Sequence, residues 1–401
     1  MLDLLVFILV GATLGTFTGL VPGVHVNTVV IVVLSLLPFL LAHLPVQAVI
    51  AMIIAMSVVH TFVDYIPSIL LGAPMEDSVL SVLPGHRMLM EGRGYEAIRL
   101  TVLGGVGASL LGGLILPFGL YLFPMLYSYA RASMAYLLLS VLIYMVYTER
   151  GNRRRLYSLI VIAYSGLLGI IVLNHYILPQ KYALFPALTG LFGVSTLLKS
   201  IGSKPRIPRQ TLSYSKKMYL RGVAMGSLGG ILTGLLPSMG SSQSALMIQN
   251  MMGRGERNVR EFLVAIGGVN TADAIYALFA LYLIGNPRSG ASIAMEQIVG
   301  EFGFNDLILM VAVVLATTFF AASITLGLAR FSVRRIESVD YHLYTKVILA
   351  FLFVLIVVLT GWRGLLIAVT ATSIGTIAIY AGVKRTHGMA LLMVPTILYF
   401  M

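Results

Sequence analysis

Gly11-Ala12-Thr13-Leu14-Gly15-Thr16-Phe17-Thr18-Gly19-Leu20-Val21-Pro22 is an apolar run that stops at a proline, and 215 positions later Gly226-Ser227-Leu228-Gly229-Gly230-Ile231-Leu232-Thr233-Gly234-Leu235-Leu236-Pro237 does the same. Gly, Gly, Thr, Gly, Leu and Pro keep their spacing in both copies. Glycine matches alone mean little in a chain with 40 Gly; their order together with the shared Thr, Leu and Pro carries the weight. After each Pro the chain soon becomes apolar again, so the break falls inside a hydrophobic stretch. Pro lacks an N–H and Gly adopts conformations closed to other residues, so a helix is expected to unwind there.

The rest of the chain tells what surrounds these breaks. Hydrophobic residues fill 58% of 401 positions and charged residues 10%, against roughly 25% charged in a soluble domain. Long apolar runs recur along the whole length, the pattern of helices crossing a bilayer core about 30 Å thick. Alternation is too weak for a β-barrel. The fold expected is therefore an all-α, polytopic protein of the inner or plasma membrane. Its fourteen hydrophobic segments are 4–18, 24–42, 46–71, 100–125, 132–148, 156–173, 181–198, 218–236, 243–252, 262–285, 305–328, 346–360, 364–382 and 388–401. No basic stretch precedes the first run, so a cleaved signal peptide is not expected. The absence of Cys excludes disulfides and thiol chemistry and leaves the compartment open.

If successive segments alternate in direction, the loops fall into two sets. One set, 84–99, 149–155, 199–221, 253–260, 329–346 and 383–387, holds 23 of the 27 Lys and Arg; the other holds Arg131, Lys181, Arg288 and Arg363. The positive-inside rule assigns the first set to the cytoplasm and leaves both termini extracytoplasmic. The net charge of +12 is then a consequence of topology, and its scatter over short loops argues against a nucleic-acid surface.

The duplication extends beyond the breaks. His60-Thr61 followed by Asp64 answers Asn270-Thr271 followed by Asp273, and Gly72-Ala73-Pro74 answers Gly285-Asn286-Pro287. With seven segments in each half, an odd number, the halves enter the membrane from opposite sides and form inverted repeats. The first covers 1–199 and the second 218–401, joined by a basic cytoplasmic linker at 200–217. Lipid cannot hydrate unwound backbone, so broken or re-entrant helices at the Gly-Leu-x-Pro boxes must line a protein-enclosed cavity, as in secondary transporters.

Two groups of residues follow. Small and polar residues after each break, Pro22, Gly23, His25, Asn27 and Thr28 in one half and Pro237, Ser238, Gly240, Ser241, Ser242 and Gln243 in the other, sit where a following helix begins. Free N–H groups and the helix dipole favour an anion there. The competing reading is close helix packing through Gly and Ser, with His25 bonded to a neighbouring carbonyl. Among fifteen acidic residues, Asp64 and Asp273 fall inside apolar segments. A carboxylate at mid-bilayer costs about 2.5–3.5 kcal/mol on insertion scales, so it is expected to face a cavity and to couple a cation. Asn270 and Thr271 would be its co-ligands in one half, and His60 and Thr61 hold the matching positions in the other. Asp64, eight residues before Gly72, lies nearer the cytoplasmic interface than Asp273. The alternative is a helix–helix hydrogen bond to Ser or Thr.

At these residues the chain resembles the large membrane subunit of the tripartite tricarboxylate transporters. Gly19-Leu20-Val21-Pro22-Gly23, followed by a helix ending Leu36-Leu37-Pro38, is similar to that family's first signature. Leu70-Leu71-Gly72-Ala73-Pro74, Pro84-Gly85-His86-Arg87-Met88 and Glu91-Gly92-Arg93-Gly94-Tyr95-Glu96-Ala97 resemble its cytoplasmic loop, and Gly234-Leu235-Leu236-Pro237 with Asn270-Thr271-Ala272-Asp273 its second box and Asn-containing helix. The resemblance covers most of residues 10–300. It implies a permease for small organic anions, typically di- and tricarboxylates, driven by an ion gradient and supplied by an extracytoplasmic solute-binding protein with a small membrane subunit.

The expected partners are thus a small organic anion, the lipid bilayer, these two proteins and, as a further candidate, a second copy of the chain. No cofactor is expected beyond a coupling ion, H+ or Na+, and no metal site beyond Na+ at Asp273. A lipid-phosphate (polyprenyl-phosphate-like) carrier or flippase would need the same anion cradle and is the alternative. No His-Glu-x-x-His or Gly-x-Ser-x-Gly with a matched His occurs, so no catalytic residue and no enzyme activity is expected.

Overall fold

The computed structural model describes residues 2–21, 29–30, 33–34, 36–71, 79–174, 177–178, 180–201, 207–236, 240–252, 256–285, 287, 289–300, 302–336 and 341–401. Among them the regular elements are helical and no strand occurs. In chain order they are α1 (Leu2–Leu20), α2 (Leu37–His43), α3 (Val46–Val63), α4 (Tyr65–Leu70), α5 (Val79–Met90), α6 (Gly94–Ala132), α7 (Met134–Tyr147), α8 (Asn152–Asn174), α9 (Gln180–Leu188), α10 (Ser195–Ile201), α11 (Leu220–Leu235), α12 (Ser241–Met252), α13 (Glu256–Ile284), α14 (Gly290–Val299), α15 (Phe304–Arg335), α16 (Tyr341–Ala381) and α17 (Ala390–Phe400). A π-helical turn, Thr189–Val194, joins α9 to α10, and a 3-10 turn, Arg385–Met389, precedes α17.

Helices at Val46–Leu70, Gly94–Tyr129, Asn152–Leu173, Val259–Ile284, Phe304–Arg335 and Thr345–Ala381 are long and apolar enough to cross a membrane, and this is a multi-pass membrane protein. Burial separates the centre from the rim. Val46–Leu70 is 78% buried and Val259–Ile284 is 89% buried, whereas Gly94–Tyr129 is 28% buried and presents its apolar side outward, to lipid. The two halves meet chiefly where α13, which carries Asp273, packs on α6 through Gly104, Gly105 and Gly267; the helix that carries Asp64 touches α13 near Tyr65.

The segments at 346–360 and 364–382 are two helices within α16, parted as expected, at Gly361, whose φ of 63° lies in the left-handed region that favours glycine. Some expected segments take another form. Those at 243–252 and 388–401 become α12 and α17, of 12 and 11 residues, or about 18 and 16 Å at 1.5 Å per residue, too short for the hydrocarbon core. Helix α14, which the apolar runs did not mark, starts at Ser289, whose hydroxyl accepts the Ser292 N–H.

The basic loops are gathered at one end of the molecule. Arg330 Nε donates to Tyr95 Oη, Arg260 pairs with Glu96, Arg99 donates to the Ser215 carbonyl, and His342 Nδ1 lies 3.1 Å from the Ile201 carbonyl. Lys384 N donates to Glu149 Oε1 at 2.8 Å and Arg385 donates to Thr196. From residue 207 the linker region runs as an extended strap tied to the α5–α6 turn. Thr211 N donates to the Gly92 carbonyl, Gln210 Nε2 to the Leu89 carbonyl, and Gly94 N to Gln210 Oε1.

Candidate functional site

Glycine lets each box helix approach its neighbour at backbone distance. A Cβ on Gly11 or Gly15 would run into the carbonyl oxygens of Met52 or Met56, and one on Gly19 would meet the His60 carbonyl at 2.9 Å. The numbers rise together, so α1 and α3 are parallel. In the other half, Gly222 faces the Glu261 carbonyl (2.7 Å), Gly226 the Ala265 carbonyl (2.8 Å), Gly230 the Ala272 Cβ (2.6 Å) and Gly234 the Tyr276 Cβ (2.7 Å), so α11 and α13 are parallel as well.

Two parallel helices in one half oblige the chain to turn back between them. In the second half α12 is that returning arm: Thr233 Oγ1 lies 3.0 Å from Ser244 Oγ and Gly229 faces Ile248. Helices α11 and α12 thus form a hairpin. The last box glycine lies well before the far end of the helix it packs on. Gly234 sits against Tyr276, eight residues before Ile284, or about 12 Å short. In the first half Gly19 also meets Val63, seven residues before Leu70, about 10 Å short.

The two box helices enter from opposite ends. Tyr65 Oη donates to the Ile266 carbonyl at 3.0 Å, while Phe62 and Thr271 both meet Gly105, so the numbers run oppositely and α3 and α13 are antiparallel. By that pairing Asp64 is level with about Gly268, and Asp273 lies roughly five residues, about 8 Å, along the axis from it. Asp64 is 2% exposed, in a helix that continues to Leu70 through the bond from Ser68 N to the Asp64 carbonyl. It belongs to the contact between the two central helices rather than to an interface with water. Asp273 is half-buried.

The polar residues divide between the neighbours of these helices. His60 Nδ1 lies 2.9 Å from Thr18 Oγ1, which fixes the ring to the box helix α1. Thr61 is half-buried and its hydroxyl donates to the Val58 carbonyl. Asn270 faces the returning arm: Ser241 Oγ donates to Asn270 Oδ1 at 3.3 Å, both residues being buried. Thr271 turns to the other side, donates to the Gly267 carbonyl and packs against Gly105 of α6. Asn270 and Asp273, three residues apart on α13, share a side of the helix, and Thr271 does not join them. Gly240 is half-buried beside Ser241. Pro22, Gly23, His25, Asn27, Thr28, Pro237 and Ser238 lie outside the described residues, as do the side chains of Ser242 and Gln243.

Two features escape a reading of hydropathy. The polar pair matched at offset 210 does not match in packing. Gly19 meets His60 where Gly234, 215 residues later, meets Tyr276, 216 residues later, so Asn270 lies six residues, about 9 Å, from the counterpart of His60. Burial of acids is also not confined to apolar segments. Glu96, Glu149 and Glu261 are each no more than 5% exposed, with partners supplied by Arg93 and Arg260, by the His387 ring, and by Arg221. Burial alone would raise the Glu149 pKa, but the His387 ring at 3.0 Å and the Lys384 N–H more than offset it and hold the carboxyl below the usual value. A Glu in a short loop gives no periodic sign of this. Its partner is 238 residues away. Among the described residues no group of three or more His, Cys, Asp or Glu is placed to hold a metal ion.

A box helix that ends inside a membrane bundle is an arrangement that transporters use, and the family whose model matches is one of membrane transporters, not of enzymes. The chain belongs to the tripartite tricarboxylate transporter TctA family, matched over residues 5–390, and membership implies a solute-binding protein and a small membrane subunit as partners. It is also 27% identical over 415 aligned positions, covering 100% of both chains, to an uncharacterized protein of Methanocaldococcus jannaschii. No solved structure matches it.

Proposed function

We propose that the chain is a cation-coupled permease for small carboxylates, which binds its solute between the tips of the two boxes and moves it by rocking one inverted repeat against the other. The observation that carries this reading is that the last box glycines, Gly19 and Gly234, lie about 10–12 Å short of the far ends of α4 and α13, so that each box helix ends inside the bundle. Such a tip offers unbonded N–H groups of a starting helix at membrane depth, from both ends of the protein, where a carboxylate can be held without a fixed cationic side chain. Asp273, half-buried on the central helix, is the residue to hold the coupling ion, Na+ or H+. The gathered basic loops face the cytoplasm and the N-terminus lies outside, which puts the solute-binding protein on the side of the α6–α7 turn.

Uptake decides the substrate class. Purified protein in liposomes should accumulate labelled citrate or succinate under an inward Na+ or proton gradient and should not translocate a polyprenyl phosphate. Lipid-phosphate translocation without carboxylate uptake would transfer the same tips to the flippase reading. A single cysteine at Arg153 should resist an impermeant thiol reagent in intact cells, and one at Arg288 should react. The chain's own lack of Cys keeps the background clean.

A further inference from the structure

Asn270 was paired with Asp273 as a cation ligand from its place in the sequence, but its hydrogen bonding suits the opposite charge. Its side chain is 4% exposed. Ser241, the first residue of α12 and itself 3% exposed, donates its hydroxyl to Oδ1, and among the described residues Nδ2 has no hydrogen-bond partner. A buried amide NH2 that donates to nothing has lost its hydration without replacement unless a ligand supplies the acceptor. The oxygen a cation would seek is engaged by a hydroxyl proton, and the end left open carries two N–H donors.

We infer that Asn270 is the anion-recognising donor of the second box: Nδ2 gives a hydrogen bond to a carboxylate oxygen of the solute, and Ser241 is the positioning residue that holds the amide with its NH2 toward the ligand. The first N–H groups of α12 begin at the same Ser241, so side chain and helix end converge on one acceptor. Thr271, turned toward Gly105, takes no part. Asp273, on the same side of α13 as Asn270, keeps the cation, which places the two charges of a symported pair beside each other and lets each favour the binding of the other. This inference rests on the organic-anion reading.

The test is equilibrium binding of labelled citrate and succinate to purified protein in detergent, over a range of Na+ concentrations and pH. Asn270→Asp preserves shape, removes both donors and adds a negative charge. It should bind the anion about ten- to a hundredfold more weakly, whatever the added charge does to the Na+ or pH midpoint. Ser241→Ala should weaken binding about fivefold, and the double variant should be no weaker than Asn270→Asp alone, because the hydroxyl acts only through the amide. If Asn270→Asp binds as the parent does, or keeps its affinity and shifts the Na+ or pH midpoint, the residue is not the anion donor and the inference falls while the permease reading stands. If Asn270→Asp is not monodisperse, Ser241→Ala decides alone, and unchanged affinity overturns the inference. A parent protein that binds neither carboxylate overturns the permease reading and this inference with it.

Discussion

The two boxes are built on one plan and finished differently. In each, glycines at a spacing of four lay a short helix along a long buried one, parallel to it, and the chain breaks before the far end is reached. In the first half the box helix is tied sideways to the long helix by Thr18 and His60. In the second half Ser227 and Tyr276 make the corresponding sideways bond at 3.0 Å, and two further ties run to the returning arm, Thr233 to Ser244 and Asn270 to Ser241. The difference teaches that glycine packing sets the frame and that polar residues were placed on it separately. A residue's counterpart in the other half is therefore found by what it touches and not by its sequence offset.

The largest effect should come from filling the closest approach. On Gly11 a Cβ would press on the Met52 carbonyl, backbone that cannot yield without separating α1 from α3, whereas on Gly226 it would meet the Ala265 carbonyl at 2.8 Å and Gly268 Cα at 2.9 Å. Gly11→Ala should cost about 2–3 kcal/mol and Gly226→Ala about 1 kcal/mol, within the range for overpacking. Gly327→Ala, with nothing within 4 Å, should be neutral or slightly stabilising. Thermal unfolding of the purified variants in one detergent would show the order. Equal losses at Gly11 and Gly226 would mean that the two ladders are equally tight.

A smaller contrast concerns the two carboxylates. Asp273 is half-buried, and Asp64 is 2% exposed at the contact between the central helices. Asp273→Asn should reduce gradient-driven uptake at least about tenfold, equivalent to roughly 1.4 kcal/mol of coupling, while leaving the unfolding temperature near that of the parent. Asp64→Asn should lower the unfolding temperature and leave the dependence on the gradient in place. Reversal of these two outcomes would make Asp64 the coupling residue.

How much of this was legible follows from what sequence encodes. The membrane class, the helical fold, the two boxes and the close glycine approach can be read locally, since composition and i, i+4 spacing determine them. The hairpin return could not, because parallel packing of α11 on α13 appears only when Gly222 and Gly234 are seen beside Glu261 and Tyr276. Nor could the division of Asn270 from Thr271. Adjacent residues on a helix point about 100° apart, and which neighbour each one meets depends on how α12 and α6 pack around α13. The buried pair of Glu149 and His387 was hidden for the same reason: two short loops meet through contacts far apart in the chain.

The finest contrast lies in the two box threonines, which hold equivalent places in sequence and different partners in space. Thr18 is half-buried and touches His60 Nδ1; Thr233 is 6% exposed, donates to the Gly229 carbonyl and lies against Ser244 Oγ. Val preserves the branched shape and deletes the hydroxyl, so each substitution reads one set of bonds. An intramolecular hydrogen bond contributes about 0.5–1.5 kcal/mol, and the lower figure suits the partly accessible Thr18 site. Thr233→Val should cost about 1–1.5 kcal/mol, because Ser244 loses a buried partner at the hairpin tip. The second half carries the larger penalty only if its arm is held to α11 through that bond. A cycle of Thr233→Val, Ser244→Ala and the double variant, followed by unfolding in detergent, measures the coupling directly. Coupling of about 1 kcal/mol would establish the tie between arm and helix. Additive losses would leave the arm held by apolar packing alone, and the two boxes would then differ in decoration and not in how their tips are fixed.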